Sequence, residues 1–236
     1  MAGREIGRVA GLWRYPVKSM AAEPLEAVDV SWHGLAGDRR WAFVQPDMPR
    51  SGFPWLTIRE RPDMSHYVPS FDEPERPDDS RVTVRTPAGR TLEVIDEELA
   101  DELGPGARVI KQGRGVFDTM PLSLITTRTL ASLGARVGSE LVPLRFRPNL
   151  LVEPVSGEPF PEDAWVGSVL RIGSLAMRVD QRDARCVMIT IDPETTARTP
   201  AILRAVAKER EGCLGVYGSV VAPGRVALGD PVTLEG

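Results

Sequence analysis

The residue with the clearest potential chemistry is Cys186, which lies in the segment RDARCVMITIDPETT directly after Arg185. A cysteine thiolate is both a nucleophile and a metal ligand, and a neighbouring guanidinium favours the charged form by Coulomb attraction. The competing interpretation is a buried structural cysteine, because free cysteine is among the most buried residue types. The local sequence leaves both interpretations of Cys186 open.

Basic residues recur in loop-like segments that are far apart in the chain. They are Lys18 in YPVKS, Arg39 and Arg40 in GDRRW, Arg145 and Arg147 in RFRPN, and Arg185. Turns rich in Pro, Gly, Ser or Asn can bring side chains and backbone amides together around an oxyanion. A local basic pocket would then select a phosphorylated small ligand, since arginine can bind phosphate through two hydrogen bonds. The alternative is that each is a solvated surface charge, the usual environment of Lys and Arg.

Composition argues against several common classes of protein. A formal net charge of −4 argues against a general nucleic-acid binder, which needs a surplus of Lys and Arg. The two histidines and two cysteines nearly exclude a zinc site of nitrogen and sulfur ligands and a Ser-His-Asp hydrolase. No apolar run of about 18 residues would span a bilayer, and the N-terminus lacks the apolar stretch of a secretory signal. We therefore expect a cytoplasmic protein with free thiols, a disulfide between Cys186 and Cys213 being the alternative, and no nucleic-acid or membrane partner.

The front half of the chain predicts a sheet-rich region. Short apolar runs bounded by Gly, Pro or Asp are typical of strands, and they occur at residues 6–12, 25–30, 41–44, 82–84 and 92–95. The acidic, proline-bearing segment 70–81 predicts an exposed loop. Residues 96–103 predict a short helix that begins with acidic residues and ends at Gly104-Pro105. We place a domain boundary in or just after this helix.

The back half predicts two helices among many strands. One helix is expected over residues 121–138, and a second over 199–212, with Thr as its cap, Pro at its first position and a buried stripe formed by Ile202, Leu203 and Val206. Strands are expected in NLLVE, in a hairpin that turns at Gly173-Ser174, and in CVMITI, CLGVYGSVV, RVALG and PVTLE. This pattern predicts a mainly β (α+β) protein, with a closed or nearly closed barrel and peripheral helices.

Five stretches spread over nearly the whole chain carry a resemblance to a known family. They are LWRYPVKSM, HGLAGDRRWAFV, FRPNLLVE, RCVMITIDPETT and PGRVALGDPV. In this order they resemble MOSC-domain proteins preceded by the MOSC N-terminal β-barrel domain, and they are similar to the mitochondrial amidoxime-reducing component and its bacterial counterparts. The resemblance implies a MOSC N-terminal β-barrel-like domain over residues 1–105 and a MOSC domain over 106–236.

The resemblance also implies a molybdenum cofactor held between the two domains. Cys186 matches the cysteine that binds the metal in those relatives, and it is therefore the expected metal ligand and catalytic residue. Thiolate sulfur suits a soft, redox-active metal, and the pterin supplies further sulfur ligands. The residues that match the family's cofactor contacts are Lys18, Ser19, Arg39, Thr119, Arg147, Asn149, Arg185 and Tyr217. The basic members would neutralise the phosphate and the anionic metal centre, and Asn149 would hydrogen-bond the pterin edge.

The activity implied by the resemblance is a molybdenum-dependent oxidoreductase. It would reduce N-hydroxylated substrates such as amidoximes, N-hydroxylated bases and hydroxylamines, with electrons from a separate ferredoxin, flavodoxin or cytochrome b5 type of protein. The alternatives are a cofactor carrier or sulfur-transfer module without turnover of its own, and a MOSC barrel that no longer binds molybdenum.

The sequence departs from the family pattern at two positions near the expected site. Asp183 stands where relatives often have a second cysteine, and Met120 stands where they have a serine. Both changes leave the metal ligand in place but put the tuning of the site and the substrate range in question. Asp183 is a candidate acid or base, although an aspartate in a surface turn is the expected environment.

Overall fold

A computed structural model describes residues 3–46 and 54–235 of the chain. The strands are β1 Arg4–Arg14, β2 Glu23–Pro24, β3 Ala27–Ser31, β4 Gly34–Leu35, β5 Trp41–Val44, β6 Val68–Phe71, β7 Val82–Arg85, β8 Thr91–Glu93, β9 Arg108–Lys111, β10 Leu122–Thr126, β11 Leu150–Pro154, β12 Val169–Ile172, β13 Leu175–Ala184, β14 Cys213–Ala222, β15 Gly224–Ala227 and β16 Pro231–Leu234. The α-helices are α1 Glu97–Leu103, α2 Thr127–Val137 and α3 Pro200–Arg210. Short 3-10 helices cover Pro62–His66, Pro143–Phe146, Pro161–Trp165 and Val187–Thr190.

The main sheet closes into a barrel. Its strands follow the order β11-β10-β14-β13-β12-β16-β1, and the pairing of β1 with β11 completes the circle. Alternate side chains of these strands fill the interior, among them Leu12, Leu122, Met177 and Val216. The predicted mainly β fold with a closed barrel is confirmed.

The first strand of the chain belongs to this barrel. β1 pairs with β11 on one side and with β16 on the other, so both of its edges are hydrogen-bonded to strands from the back half. Strand β2 pairs with β1, and β3 and β4 form a small sheet with β15 whose Val28 and Val30 join the barrel core. The remaining front-half strands form two further sheets, β6-β7-β8 and β5-β9, over a second core that includes Phe43, Leu56 and Leu99. The smaller sheet-rich N-terminal region is confirmed as part of the fold, while the division between residues 105 and 106 stays a prediction.

The helix predicted over residues 121–138 is wrong in its first third. Residues Leu122–Thr126 form β10, a strand that is buried at every position. It lies between β11 and β14, so a continuous apolar run that can be read as helical is here buried on both sides of a sheet. The helix begins one residue later, where the Thr126 side chain accepts a hydrogen bond from Thr129 N at 3.1 Å and caps it.

Thr126 also joins this helix to a buried carboxyl group. Its hydroxyl donates to Glu162 Oε2 at 2.8 Å, and both side chains are fully buried. We expect Thr126→Val to lower the free energy of unfolding by about 2–3 kcal/mol, because the helix loses its cap and Glu162 loses a donor. Urea denaturation measures this loss. Thr127→Val is the matched control, and an equal loss in both variants would contradict the capping role.

The strand predicted for CVMITI is also wrong. Residues Val187–Thr190 form a 3-10 helix, closed by a hydrogen bond from the Thr190 hydroxyl to Val187 O at 2.7 Å. Ile189 is buried in the same core as Ile202 of α3, so packing against a helix overrides the β preference of this sequence. The helices predicted at 96–103 and 199–212 are confirmed as α1 and α3, with Ile202 and Val206 buried and Leu203 half-buried. None of the helices in the described residues is long and apolar enough to cross a membrane.

Candidate functional site

A cavity of about 260 Å³ is lined by all nine residues that the family resemblance assigns to the site, whereas Arg40, another basic residue singled out in the sequence, does not line it and forms an ion pair with Asp78. The nine residues are Lys18, Ser19, Arg39, Thr119, Arg147, Asn149, Arg185, Cys186 and Tyr217. These side chains come from the segment after β1, the turn after β4, the segment before β10, the turn before β11, the two residues directly after β13, and strand β14. The barrel therefore brings together residues that are up to 199 positions apart, from Lys18 to Tyr217.

Three of these residues have an unusual backbone conformation. Ser19, Arg39 and Arg147 have φ angles of 70°, 50° and 52°, in the left-handed region that side chains other than glycine rarely adopt. Such conformations cost free energy and are concentrated at functional sites, where the surrounding structure holds them. Here they direct polar side chains from three separate turns into the same cavity.

Two of the arginines bracket the ring of Tyr15. The guanidinium carbons of Arg39 and Arg147 lie 4.4 Å and 4.2 Å from the ring centre. The Tyr15 hydroxyl donates to Pro148 O at 3.1 Å, and burial raises the pKa of Tyr15 to about 12. Tyr15 is therefore a neutral phenol whose ring is in contact with two cations.

Arg39 and Arg147 differ in how their charge is balanced. Arg39 forms an ion pair with Asp38, and although burial opposes it, this carboxylate raises the pKa of Arg39 above its usual value. Arg147 has no such partner, and its Nη2 is buried without a hydrogen-bond acceptor among residues 3–46 and 54–235. Burial, with repulsion from Arg39, lowers the pKa of Arg147 to about 10. At neutral pH Arg147 is thus a half-buried cation with no carboxylate ion-pair partner in the described parts of the chain.

The guanidinium that contacts Cys186 is that of Arg59 rather than that of Arg185. Arg59 Nη2 lies 3.5 Å from Cys186 Sγ and 2.9 Å from Asp118 Oδ2. Asp118 also forms an ion pair with Lys18, whose Nζ donates to Val116 O at 3.1 Å. Burial opposes the charge of Asp118, but Lys18 and Arg59 together hold its pKa below the usual value.

Arg59 and Asp118 are the site residues that the sequence prediction missed. Asp118 directly precedes Thr119 in the DTMP segment, so this neighbour of a predicted residue was the signal available for it. Arg59 lies in LTIRERP, where no local pattern marks it. It reaches Cys186 across 127 positions of sequence, which only the fold can arrange.

Arg185 is held by groups of the protein itself, and its predicted contact with the cofactor stays a prediction. Its Nε donates to Leu214 O at 2.7 Å, its Nη1 donates to Phe146 O at 2.9 Å, and its Nη2 lies 2.8 Å from Asp183 Oδ2. Gly215, which has a φ of +73°, leaves room beside this guanidinium, because a Cβ atom there would lie 3.3 Å from Arg185 Nη2 and 2.8 Å from Leu124 O. Arg185 thus ties together three segments that form the wall of the cavity.

The side-chain amide of Asn149 makes all of its hydrogen bonds with other groups of the protein. Its Nδ2 donates to Trp13 O and to Asp38 Oδ2, each at 3.2 Å, and its Oδ1 accepts from the amide and the hydroxyl of Ser123. These bonds use both amide hydrogens and both lone pairs of the oxygen. The geometry favours a structural role for Asn149, and its predicted contact with a pterin stays a prediction.

Asp183 does not lie in a surface turn, so that expectation was wrong. It lies in β13, lines the cavity and is 1% exposed. Tyr217 is half-buried on the adjacent strand β14, and burial is the main cause that raises the pKa of its hydroxyl. Thr119 is exposed at the cavity and Met120 lies beside it.

Comparison with protein families identifies both parts of the chain. Residues 111–233 match the MOSC domain and residues 6–111 match the MOSC N-terminal beta barrel domain. The chain belongs to the MOSC-domain family. Its two matched ranges meet at residue 111, and both contribute residues to the cavity of this MOSC protein.

Curated relatives of this MOSC protein match over most of its length. Mitochondrial amidoxime reducing component 2 of Bos taurus is 30% identical over 97% of this chain and 83% of that protein. Mitochondrial amidoxime-reducing component 1 of Homo sapiens is 22% identical over 99% of this chain and 84% of that protein. The molybdenum cofactor sulfurase of Drosophila grimshawi is 26% identical over 93% of this chain but 34% of that protein.

Among solved structures, the YUAD protein from Bacillus subtilis is similar to this MOSC protein. The TM-score is 0.54 at 15% identity, and the match covers 99% of this chain and 98% of that one. At this identity the similarity shows the fold alone.

Proposed function

We propose that this MOSC protein binds the molybdenum cofactor in the described cavity and reduces N-hydroxylated compounds there. The observation that carries the proposal is the presence, in one cavity, of an accessible thiol and a half-buried cation without an ion-pair partner among the described residues. Cys186 is partly exposed in the cavity, and Arg147 Nη2 has no acceptor in the described parts of the chain. A ligand with a soft metal at one end and a phosphate at the other would satisfy both groups.

The residues of the cavity fit such a group. A thiolate sulfur is the protein ligand suited to a soft metal, and Cys186 Sγ lies 3.5 Å from Arg59 Nη2, a cation that would offset the charge of a metal-bound thiolate. Arg147 and Arg39 form a second cationic centre around Tyr15 that is suited to a phosphate. The names of relatives in the amidoxime-reducing and cofactor-sulfurase groups support the choice of this cofactor.

The cofactor, when bound, would supply the two-electron chemistry that breaks the N–O bond. The protein residues would hold and orient the reactants. Cys186 would ligate the metal, Arg147 and Arg39 would bind the phosphate, and the chain of Lys18, Asp118 and Arg59 would keep the thiolate in place. Electrons would come from a separate protein of the ferredoxin, flavodoxin or cytochrome b5 type.

Turnover of an amidoxime by cofactor-loaded protein tests the proposed activity. We expect protein with near-stoichiometric molybdenum to convert benzamidoxime to benzamidine with a reduced viologen dye as the electron source, because the loaded site needs only electrons, protons and substrate. Product formation is measured by chromatography. Cys186→Ala, prepared identically, should give no product above background. Fully loaded wild-type protein that reduces no amidoxime, hydroxylamine or N-hydroxylated base would contradict the activity.

A cofactor carrier or sulfur-transfer module is the second candidate. The observation that favours it is the similarity to the molybdenum cofactor sulfurase of Drosophila grimshawi, which extends over 93% of this chain. A carrier would release its cofactor to an apo-molybdoenzyme within minutes and would show no amidoxime turnover. A reductase would retain the cofactor through gel filtration in the presence of the same acceptor.

A further inference from the structure

Asp183 is placed at the cavity by an irregularity in the barrel. Strands β13 and β14 pair Arg182 with Val216 and Ala184 with Cys213, so Asp183 alone lies opposite two residues of β14. Such a β-bulge bends a strand and changes the direction of a side chain, and bulges are frequent next to active sites. Opposite this bulge, Asp183 is 1% exposed and lies on the wall of the cavity that also contains Cys186.

The surroundings of Asp183 raise its pKa above the usual value of a carboxyl group. Burial raises the pKa of Asp183 to about 6, against the opposing charge of Arg185, whose Nη2 lies 2.8 Å from Oδ2. The Tyr217 hydroxyl and the Arg39 charge also lower this pKa, while the Asp118 carboxylate raises it. A carboxyl group with this pKa exchanges its proton near neutral pH, as an acid catalyst must.

Reduction of an N–O bond consumes protons that the metal site does not provide. The balanced reaction is R–NH–OH + 2 e⁻ + 2 H⁺ → R–NH2 + H2O, with both electrons from the protein electron carrier named above. The N–O bond breaks, and the oxygen leaves as water after it gains protons. A proton donor on the wall of the cavity could therefore supply one of these protons.

We propose that Asp183 holds one of these protons and delivers it to the departing oxygen, with the half-buried Tyr217 hydroxyl connecting it to the cavity. Asp183 would then recover a proton from water. This inference rests on the proposed reductase function and adds a residue with a defined role to it. It also gives a physical reason for an acidic residue at a position where the resemblance leads one to expect cysteine.

Two consequences separate proton delivery from a purely structural role. In loaded wild-type protein, kcat should fall as the pH rises through about 6, because Asp183 ionises and loses the proton it must give. Asp183→Asn keeps the size of the side chain but has no acidic proton. We expect it to lower kcat on the order of a hundredfold and to remove the pH dependence near 6, with little change in KM.

The first experiment uses the protein without cofactor. Difference infrared spectroscopy between pH 4 and pH 8 should show a protonated carboxyl band that titrates near pH 6 in the wild type and is absent from Asp183→Asn. Asp180→Asn is the matched control on the same strand, since Asp180 pairs with Arg178 and does not line the cavity. Retention of the band in Asp183→Asn, or a carboxyl group already ionised at pH 4 to 5, would overturn the inference.

The second experiment measures pH–rate profiles of the loaded proteins. If the wild type turns over substrate and Asp183→Asn keeps the same pH profile, proton delivery by Asp183 is overturned. The proposed reductase function would still stand in that case. Fully loaded wild-type protein without turnover would overturn the reductase function and the proton delivery with it. A hundredfold lower kcat with a flat profile in Asp183→Asn alone, and not in Asp180→Asn, would support the inference.

Discussion

Cys186→Ala should contain no molybdenum when it is purified from a host that makes the cofactor, whereas wild-type protein should contain it at near-stoichiometric amounts. Cys186 is the thiol that lines the cavity, so the variant would lose the protein's sulfur ligand to the metal. Alanine is small and leaves the neighbouring contacts of Arg59 with Asp118 in place. Metal analysis by inductively coupled plasma mass spectrometry and fluorescence of the oxidised pterin measure both parts of the cofactor.

Cys213→Ala is the matched control for this experiment. Cys213 begins β14 and does not line the cavity, and it is the second cysteine in the sequence. We expect this variant to retain wild-type molybdenum and pterin. Equal metal content in both cysteine variants would contradict ligation by Cys186. Absence of metal and pterin from the wild type, even after incubation with free cofactor, would contradict cofactor binding altogether.

Arg147→Met should weaken anion binding and at the same time stabilise the protein without ligand. A charge-assisted hydrogen bond contributes about 1.5–3 kcal/mol, so the affinity for inorganic pyrophosphate should fall roughly tenfold to a hundredfold. Methionine of similar length also removes a half-buried cation whose Nη2 lacks an acceptor and that Arg39 repels. Replacing such a charge by an apolar side chain is often neutral or stabilising. Titration calorimetry measures the affinity, and thermal unfolding measures the stability.

Arg145→Met gives the opposite pattern and serves as the comparison. Arg145 Nη2 forms an ion pair with Asp192 Oδ2 at 2.6 Å, and its Nη1 donates to Thr190 O at 3.2 Å. Its loss removes the ion pair of Asp192 and one of the two donors to Thr190 O, which keeps the Thr199 amide as the other. This variant should therefore unfold at a lower temperature and lose less pyrophosphate affinity. If Arg147→Met were destabilised as much as Arg145→Met and kept its affinity, the unpaired charge of Arg147 would not be an anion site.

The cavity has two features that lower the stability of the protein without ligand. Ser19, Arg39 and Arg147 adopt left-handed backbone conformations, and Arg147 carries a charge that the protein itself does not balance. Both features cost stability in the protein without ligand. A bound anion would recover part of that cost, so ligand binding should raise the unfolding temperature of the wild type more than that of Arg147→Met.

The residues of the site were largely determined by the sequence. Short motifs such as YPVKS, DRRW, RFRPN and RC supplied a thiol and a set of cations, and their family resemblance predicted that they meet. The structure brings all nine predicted residues to one cavity. The alternating and continuous apolar runs likewise predicted a mainly β protein, because the alternation of apolar and polar side chains along a strand can be recognised within a few consecutive residues.

Only the tertiary structure decided which partner each charge has. Arg185 is adjacent to Cys186 in sequence, yet the guanidinium within 3.5 Å of the sulfur is that of Arg59. The burial of Asp183 depends on a bulge between β13 and β14, and the strand over residues 122–126 depends on neighbours on both sides. Charge balance, desolvation and strand burial arise from contacts between segments that are distant in the chain, so residue type and local spacing do not determine them.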